Sequence, residues 1–435
     1  LPSLLKEKIK DRSAKLGIIG LGYVGLPLAA AFTDAGFKVL GFDIQEKRVN
    51  SINSGKSYIA DVTSDRLSAI VVDRVLEATV DQSRLGEVDA ICICVPTPLT
   101  KTKEPDLSAV IHESEEISKR LQRGQLVVLE STTYPGTTRE VVLPILERSG
   151  LKAGSDFYLA FSPERADPAN ETYNIQNIPK IVGGIDPQST RIAALLYSQV
   201  AEAVAPVSCP EVAEMTKLFE NVFRSVNIAL VNELAQLCER MSISVWEVID
   251  AAATKPFGYM PFYPGPGLGG HCIPLDPYYL SNKAREYDFH TRFIEVAAEV
   301  NEQMPYHVVS RIMEVFNSHG KSLCGAKVLV LGVAYKKDVE DIRESPSLKI
   351  IQLLGERGAS MRYNDPYIPT VQHDHDVLIS TELTDKCLSS LDCVVIATAH
   401  SCYDIEKIVA SSKLVFDTRG VTKGLNGDNI VRLGE

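Results

Sequence analysis

The first two hundred residues alternate short apolar runs with amphipathic stretches. KLGIIG, from Lys15, reads as a buried strand, PLAAAFTDAG as a helix and KVLGFD as a second strand. DAICICV, QLVVLE, FYLAFSP and KIVGG are further expected strands, with helical stretches between them. Near-continuous apolar runs alternating with helices predict a parallel sheet covered on both faces.

At Pro210 the pattern changes. Over EVAEMTKLFENVFRSVNIALVNELAQLCERM, residues Met215, Phe219, Val222, Val226, Leu230, Leu234 and Leu237 recur every three or four positions, with no internal Gly or Pro. This period predicts one long helix, suited to joining domains and supporting a dimer. Another helical stretch is expected from Phe293 to Phe316. Then KVLVLGVAYK, SLKIIQLLGERG, SMRYNDP, DCVVIATAH and KLVFDTRG read as a second α/β unit, with Gly332 but no full GxGxxG. The two units repeat in architecture, not in sequence.

With 435 residues, the chain is longer than one ordinary domain. Its 45% apolar and 23% charged content fits a globular protein, and its net charge of −11 argues against a general nucleic-acid binder. An anionic ligand would need a focused cluster of Lys and Arg. Nine cysteines occur without a CxxC pair or metal-like spacing. Dispersed cysteines of odd number point to a reducing compartment, the cytoplasm. The apolar segment from Leu16 to Phe32 is broken by Gly17, Gly20, Gly22, Gly25 and Pro27, so no membrane insertion is expected. Because the chain begins at Leu1 rather than Met, the natural N-terminus is expected to lie upstream.

Gly20-Leu21-Gly22-Tyr23-Val24-Gly25 closes the first strand and opens a helix. In a dinucleotide-binding turn the first glycine permits the tight bend and the second admits the pyrophosphate; the third lets helix and strand pack closely. Phosphates then lie at a helix N-terminus, where free N–H groups and the dipole favour anions. Asp43 ends the next strand, placed to bond a ribose 2′-hydroxyl and repel a 2′-phosphate. That favours NAD over NADP, with Arg48 nearby pulling the other way. The alternative is a glycine turn without a cofactor.

Other candidates carry less weight singly. GPGLGGHCIPLD, ending at Asp276, delivers Cys272 from a run of glycines that allow close backbone approach to a ligand. Its thiol is either a nucleophile of lowered pKa or incidental. Lys217 and Asn221 lie four apart on the long helix and share a face, which is either solvated or aimed at a developing oxyanion. Asp276 suits both a helix N-cap, with Pro277 at the first position, and proton transfer. Glu164 in FSPER and Thr132 in ESTTYPGTT follow strand-like runs, where α/β proteins collect ligands, and each also fits a cap or loop. His373, Asp374, His375 and Asp376 have a metal-like look, but a solvated loop and no metal are expected.

Taken together these stretches resemble the UDP-glucose/GDP-mannose dehydrogenase family of nucleotide-sugar 6-dehydrogenases. GLGYVGLPLA, the Pro96-Thr97-Pro98 block, EST around Thr132, SPE around Glu164, KLFEN from Lys217 to Asn221, GGHC and YKKDVEDIRESP look like its blocks, in order over nearly the whole chain. The resemblance implies an α/β fold of two Rossmann-like doubly wound domains, joined by a long central helix and a helical dimerisation domain. It divides the chain into an NAD domain over 1–208, a central helical domain over 209–305 and a UDP domain over 306–435.

By this resemblance a cytoplasmic enzyme, at least a homodimer, oxidises the sugar C6 alcohol to a carboxylate with two NAD⁺ per sugar. Cys272 attacks the C6 aldehyde, the thiohemiacetal becomes a thioester, and water hydrolyses it. Lys217 and Asn221 stabilise oxyanions, Asp276 acts with a water in proton transfer, Glu164 assists hydrolysis and Thr132 orders a water. NAD falls to Gly20, Gly22, Tyr23, Val24, Gly25, Asp43, Arg48, Pro96, Thr97 and Thr132, with Arg343 placed to reach it across an interface. The substrate falls to Glu164, Arg165, Lys217, Asn221, Tyr263, Gly267, Lys336 and Arg419. GGHC and Arg165 resemble the branch acting on UDP-N-acetylglucosamine, with the acetylmannosamine and acetylgalactosamine analogues as alternatives. A hydroxy-acid dehydrogenase and an inactive nucleotide-sugar binding protein are the readings from other classes.

Overall fold

The computed structural model describes residues 2–59, 61–100, 102–165, 172–270, 273–373 and 376–435. Two compact units emerge, one of residues 1–220 with 278–289, the other of residues 221–277 with 290–435.

In the first unit, eight strands form one sheet: β1 (Lys15–Ile19), β2 (Lys38–Phe42), β3 (Leu76–Thr79), β4 (Ala90–Ile93), β5 (Leu126–Leu129), β6 (Tyr158–Phe161), β7 (Lys180–Gly184) and β8 (Val204–Val207). Their order is β3-β2-β1-β4-β5-β6-β7-β8. The first six run parallel, as the apolar runs predict. Strand β7 pairs antiparallel with β6, and β8 follows β7 in parallel. The parallel expectation therefore holds for six strands, and the chain turns back after Phe161. Neither β3 nor β8 was among the strands expected from apolar runs, because both are four-residue strands with exposed positions along them.

Alternation along the strands sorts the core into two layers. Cys92 and Cys94 point with Leu16, Ile18 and Val128 to one face. Ile91, Ile93, Val127 and Leu129 point to the other. Helix Gly25–Asp34 lies in the first layer and buries nearly its whole length, including Leu26, Leu28 and Phe32.

The second unit holds the parallel sheet β10-β9-β13-β14-β15 and a hairpin. Its strands are β9 (Lys327–Leu331), β10 (Ser360–Asn364), β11 (Thr370–His373), β12 (Asp376–Ile379), β13 (Cys393–Ile396), β14 (Val415–Asp417) and β15 (Ile430–Arg432). Here too successive residues serve opposite layers: Val328 and Val330 one, Leu329 and Leu331 the other. The antiparallel hairpin pairs His373 with Asp376, replacing the expected loop; Asp374 and His375 lie outside the described residues. Among the described residues no group of three His, Cys, Asp or Glu could hold a metal.

The predicted long helix spans Pro210–Met241, and the later one Arg292–Ser318. The long helix differs from expectation in which face is covered. Its buried positions include Ala213, Glu214, Leu218, Asn221, Val222, Ser225, Ala229, Val231, Asn232, Ala235 and Cys238, mostly small or polar. Met215, Phe219, Leu230 and Leu237, four of the predicted stripe, are exposed. Periodicity marks an apolar face, but the face that is buried carries mostly small and polar residues, with Val231, Ala235 and Cys238 packed against Val245, Trp246 and Ile249.

Candidate active site

In the first unit, the loop after β1 has the geometry of a phosphate cradle. Gly20 has φ of 86°, and a Cβ there would lie 2.7 Å from the Cys94 carbonyl oxygen. A Cβ on Gly25 would lie 1.9 Å from the Gly20 carbonyl oxygen, so helix and loop close on each other only with glycine. Gly22 faces open space, which leaves room beside its backbone. The buried Asp43 carboxylate accepts the Leu21 N–H at 3.0 Å and the Gln45 N–H at 2.9 Å, with Arg48 at 3.4 Å. Tyr58, not singled out from sequence, donates its hydroxyl to the Leu21 carbonyl and lies under the Arg48 guanidinium. Burial and the nearby Asp43 push its phenol up to about 12, so it stays a donor.

The loops after β4 and β5 meet. Buried Thr97 donates its hydroxyl to the Thr132 carbonyl at 2.7 Å, and Tyr279 donates to the Thr97 carbonyl. Pro96 is exposed beside them, as is Tyr23 on the glycine loop. After β6, Glu164 accepts the Arg165 N–H at 2.7 Å and the Lys180 ammonium at 3.0 Å. The Arg165 guanidinium grips both oxygens of Glu220 and the Pro179 carbonyl.

Lys217 and Asn221 sit one turn apart on the long helix, away from its exposed apolar stripe. Lys217 is half-buried and Asn221 only 6% exposed, so the solvated-face reading fails for the amide. In the second unit Asn221 donates its side-chain N–H to Asp276, itself buried in the first turn of helix Asp276–Arg285. The backbone leading to Cys272 is anchored by Asn232, which accepts the Gly265 N–H at 3.0 Å, and by the Arg343 carbonyl, which accepts the Gly270 N–H at 2.9 Å. Cys272 and His271 lie outside the described residues. Gly267, with φ of 130°, would put a Cβ 3.1 Å from Pro346. Gly269 and Gly270 lie against Tyr335 so closely that any side chain would collide.

Three family models match the chain in order. They are the NAD-binding, central and UDP-binding domains of the UDP-glucose/GDP-mannose dehydrogenase family, over residues 14–201, 211–303 and 329–424. The chain belongs to this family. Among its relatives, protein CapL of Staphylococcus aureus is 36% identical over 95% of this chain and 97% of its own. UDP-N-acetyl-D-glucosamine 6-dehydrogenase of Pseudomonas aeruginosa is 34% identical, over 94% of this chain and 97% of its own. The solved UDP-D-ManNAc dehydrogenase of Pyrococcus horikoshii superposes with a TM-score of 0.89 at 33% identity, covering 97% of this chain and 99% of that one.

This member of the family is an NAD-dependent nucleotide-sugar 6-dehydrogenase. The glycine cradle and the buried carboxylate at the end of β2 fit NAD. No helix among the described residues is long and apolar enough to cross a membrane. The remaining sites predicted from sequence in this dehydrogenase fall in the second unit. Arg343 forms a forked ion pair with Asp341, and the Tyr263 hydroxyl donates to Asp250 while its ring stacks on Trp246. Lys336 follows β9, half-buried. Arg419 donates Nε–H to the Ala397 carbonyl at the end of β13, and burial pulls its guanidinium down to about 10. Asn232, Asn301 and Tyr335 escaped the sequence reading, because their partners lie far along the chain. Asn232 donates to Asn301 at 2.9 Å, and Asn301 donates to the Ser225 carbonyl at 3.0 Å.

Proposed function

We propose that this dehydrogenase oxidises UDP-N-acetylglucosamine at C6 to the uronate, consuming two NAD⁺ per sugar. The observation that carries this reading is the buried Asn221–Asp276 hydrogen bond, one turn from Lys217, on the unit that also anchors the loop leading to Cys272. A donor amide held by a carboxylate, with an ammonium one turn away, suits an oxygen that gains negative charge as hydride leaves its carbon.

Cys272 adds as thiolate to the C6 aldehyde carbon, and the resulting thiohemiacetal loses hydride to become a thioester. Bound NAD⁺ supplies the hydride acceptor in each oxidation. Water ordered by Thr132 then adds to the acyl carbon, Glu164 takes its proton, the C–S bond breaks and the thiolate leaves. Lys217 and Asn221 hold the oxyanion; Asp276 moves a proton through a water. Gly20, Gly22, Tyr23, Val24, Gly25, Asp43, Arg48, Pro96, Thr97 and Thr132 hold NAD. Tyr263, Gly267, Lys336 and Arg419 hold UDP, and Arg343 reaches NAD from a neighbouring subunit. The segments 1–208, 209–305 and 306–435 are the working domains of this reading.

The choice of an acetamido sugar rests on the resemblance of GGHC and Arg165 to that branch of the family; Glu220 and the Pro179 carbonyl hold the Arg165 guanidinium. The acetylmannosamine epimer is the second reading, favoured by the similarity to the Pyrococcus horikoshii structure. The test is NADH formed per sugar consumed with UDP-N-acetylglucosamine, UDP-N-acetylmannosamine and UDP-glucose. Two NADH with preference for acetylglucosamine is expected. One NADH would overturn the covalent double oxidation, and preference for another sugar would overturn the choice of substrate.

The same reading makes the exposed stripe of the long helix a dimer face, occupied by a second copy of the chain. Phe219, Phe223, Leu230, Leu237 and Met241 are all exposed on it. Their spacing is palindromic about Leu230: Phe223 and Leu237 stand equally far from it, as do Phe219 and Met241. A stripe that reads the same from either end is self-complementary about a two-fold axis, as an isologous contact requires. Leu230→Lys, which sets two cations face to face on the axis, is expected to give monomers in light scattering. An unchanged dimer would refute this face.

A further inference from the structure

Beneath Glu164 lies a buried polar chain that the proposed reaction does not use. Glu130 follows β5, Lys180 opens β7 and Tyr197 closes helix Pro187–Tyr197. Side-chain exposure is 0% for Glu130 and 4% for Lys180, against 13% for Glu164. The Lys180 ammonium stands 2.8 Å from Glu130 Oε2 and 3.0 Å from Glu164 Oε2, and lies over the Tyr197 ring. Tyr197 donates its hydroxyl to the other Glu130 oxygen.

We propose that Lys180 and Glu130 are positioning residues, which orient the Glu164 carboxylate and set the pH above which it can accept a proton from the hydrolytic water. The inference rests on the reading of Glu164 as the group that assists thioester hydrolysis. Two carboxylates share one buried ammonium, so each limits how much of its charge the other receives. Burial works against the charge on Lys180, but the two carboxylates outweigh it and raise the ammonium's pKa. Burial pushes the Glu130 carboxyl up. Among the described residues, Tyr197, Cys92 and Cys94 are held neutral, since burial raises each of them far out of the working range. Arg165 contributes its backbone N–H to Glu164, while its guanidinium is taken by Glu220. Changing either partner therefore moves the Glu164 proton in a foreseeable direction.

The test follows breakdown of the acyl adduct on the full-length enzyme against pH, by rapid quench and intact-protein mass spectrometry. Lys180→Met removes the cation and is expected to shift the acid limb up by about one pH unit or more. Glu130→Gln leaves the ammonium undivided for Glu164, keeps the Tyr197 contact, and is expected to shift the limb down. Lys180→Arg is expected to restore a limb near that of the unaltered enzyme. Opposite shifts from two substitutions in one buried chain are not what loss of fold produces, and Glu130→Gln serves where Lys180→Met fails to fold. Glu164→Gln separates the two ideas. If it traps the adduct while Glu130→Gln and any folded Lys180→Met leave the limb in place, the positioning role is overturned. If Glu164→Gln hydrolyses the adduct at the normal rate, or no adduct forms in any variant, the underlying reading of the site falls and takes this inference with it.

Discussion

Gly20 donates its N–H to the Phe42 carbonyl at 2.8 Å, and in the other sheet Gly332 donates to the Asn364 carbonyl at the same distance. The parallels continue around both loops. The following N–H, of Leu21 or Val333, donates to a carboxylate just past the neighbouring strand, Asp43 or Asp365. Each glycine has positive φ and backs onto a third strand's end, with the Cys94 oxygen 2.7 Å and the Thr398 oxygen 2.3 Å from where a Cβ would be. Even the strand starts match, since Lys15 and Lys327 each donate a backbone N–H to Asp89 and Asp392 at 3.0 Å.

What separates the two loops is who takes the remaining donors. Asp43 accepts the amides of Leu21 and Gln45, and Gly22 leaves space for a phosphate while Gly25 lets the helix close on the loop. Asp365 accepts five donors: the amides of Val333, Ala334, Tyr367 and Ile368, and the His400 ring. The His400 Nδ1 accepts the Asp338 N–H, so its Nε2 carries the proton given to Asp365. In this second loop the amides that cradle phosphate in a dinucleotide fold are turned inward onto the protein's own carboxylate. One switch-point geometry thus serves a cofactor in the first sheet and internal support in the second. On the proposed reading, a diphosphate at the second sheet is then left to side-chain cations.

The largest effect expected from this contrast is on Asp365. Asp365→Ala strands four amides and a ring N–H inside the protein, and is expected to cost about 3 kcal/mol or more in the second unit's stability. Trp246, the single tryptophan, lies in that unit and reports its unfolding in urea by fluorescence. Asp43→Ala is expected to leave the Trp246 transition in place and weaken NAD binding about tenfold or more, read by equilibrium titration. Equal stability losses at the two carboxylates, or unchanged NAD affinity in Asp43→Ala, would break the contrast.

Next in size are the glycines. Gly332→Ala forces a Cβ against the Thr398 carbonyl at positive φ, a strain on the order of 1–3 kcal/mol, so the Trp246 transition should move to lower urea. Gly20→Ala carries the same strain into the other unit and should leave that transition alone while abolishing NAD binding. If both substitutions moved the Trp246 transition equally, the two loops would not be separate devices.

Sequence patterns made some of this legible and hid the rest for a physical reason. The GxGxxG turn, Asp43 and the apolar strands are local, so period and spacing report them directly. KIVGG identified a buried strand, yet nothing in it announces that Lys180 at its head neutralises Glu130, fifty residues earlier. The stripe on the long helix was visible as apolar, but a 3.6-residue period says which face avoids water and not what covers it. Asp365 and His400 read as ordinary polar residues at strand ends, since their role depends on three loops meeting. Asn232 and Asn301 stayed hidden likewise, being polar residues inside helices whose partners come from elsewhere in the chain.

The smallest effect is one of acidity, and its sign follows from the same carboxylate. Burial would raise the Asp365 carboxyl, but the His400 ring and the Ala334 and Tyr367 amides outweigh it and hold it below the ordinary carboxylate value. A carboxyl whose folded value is depressed binds fewer protons folded than unfolded, so its contribution to stability is complete above its unfolded value, near 4. That contribution is lost as pH falls from there through the folded value. The Trp246 urea midpoint should therefore decline between about pH 5 and pH 3 more steeply in the unaltered protein than in Asp365→Asn, which has no proton to gain. Because Asp365→Asn keeps the side chain's shape but must turn an N–H toward donors, it starts lower at neutral pH, and the two curves should converge on acidification. Parallel curves would mean that the second loop's carboxylate holds its amides by shape alone, and that its charge contributes nothing to the difference between the two sheets.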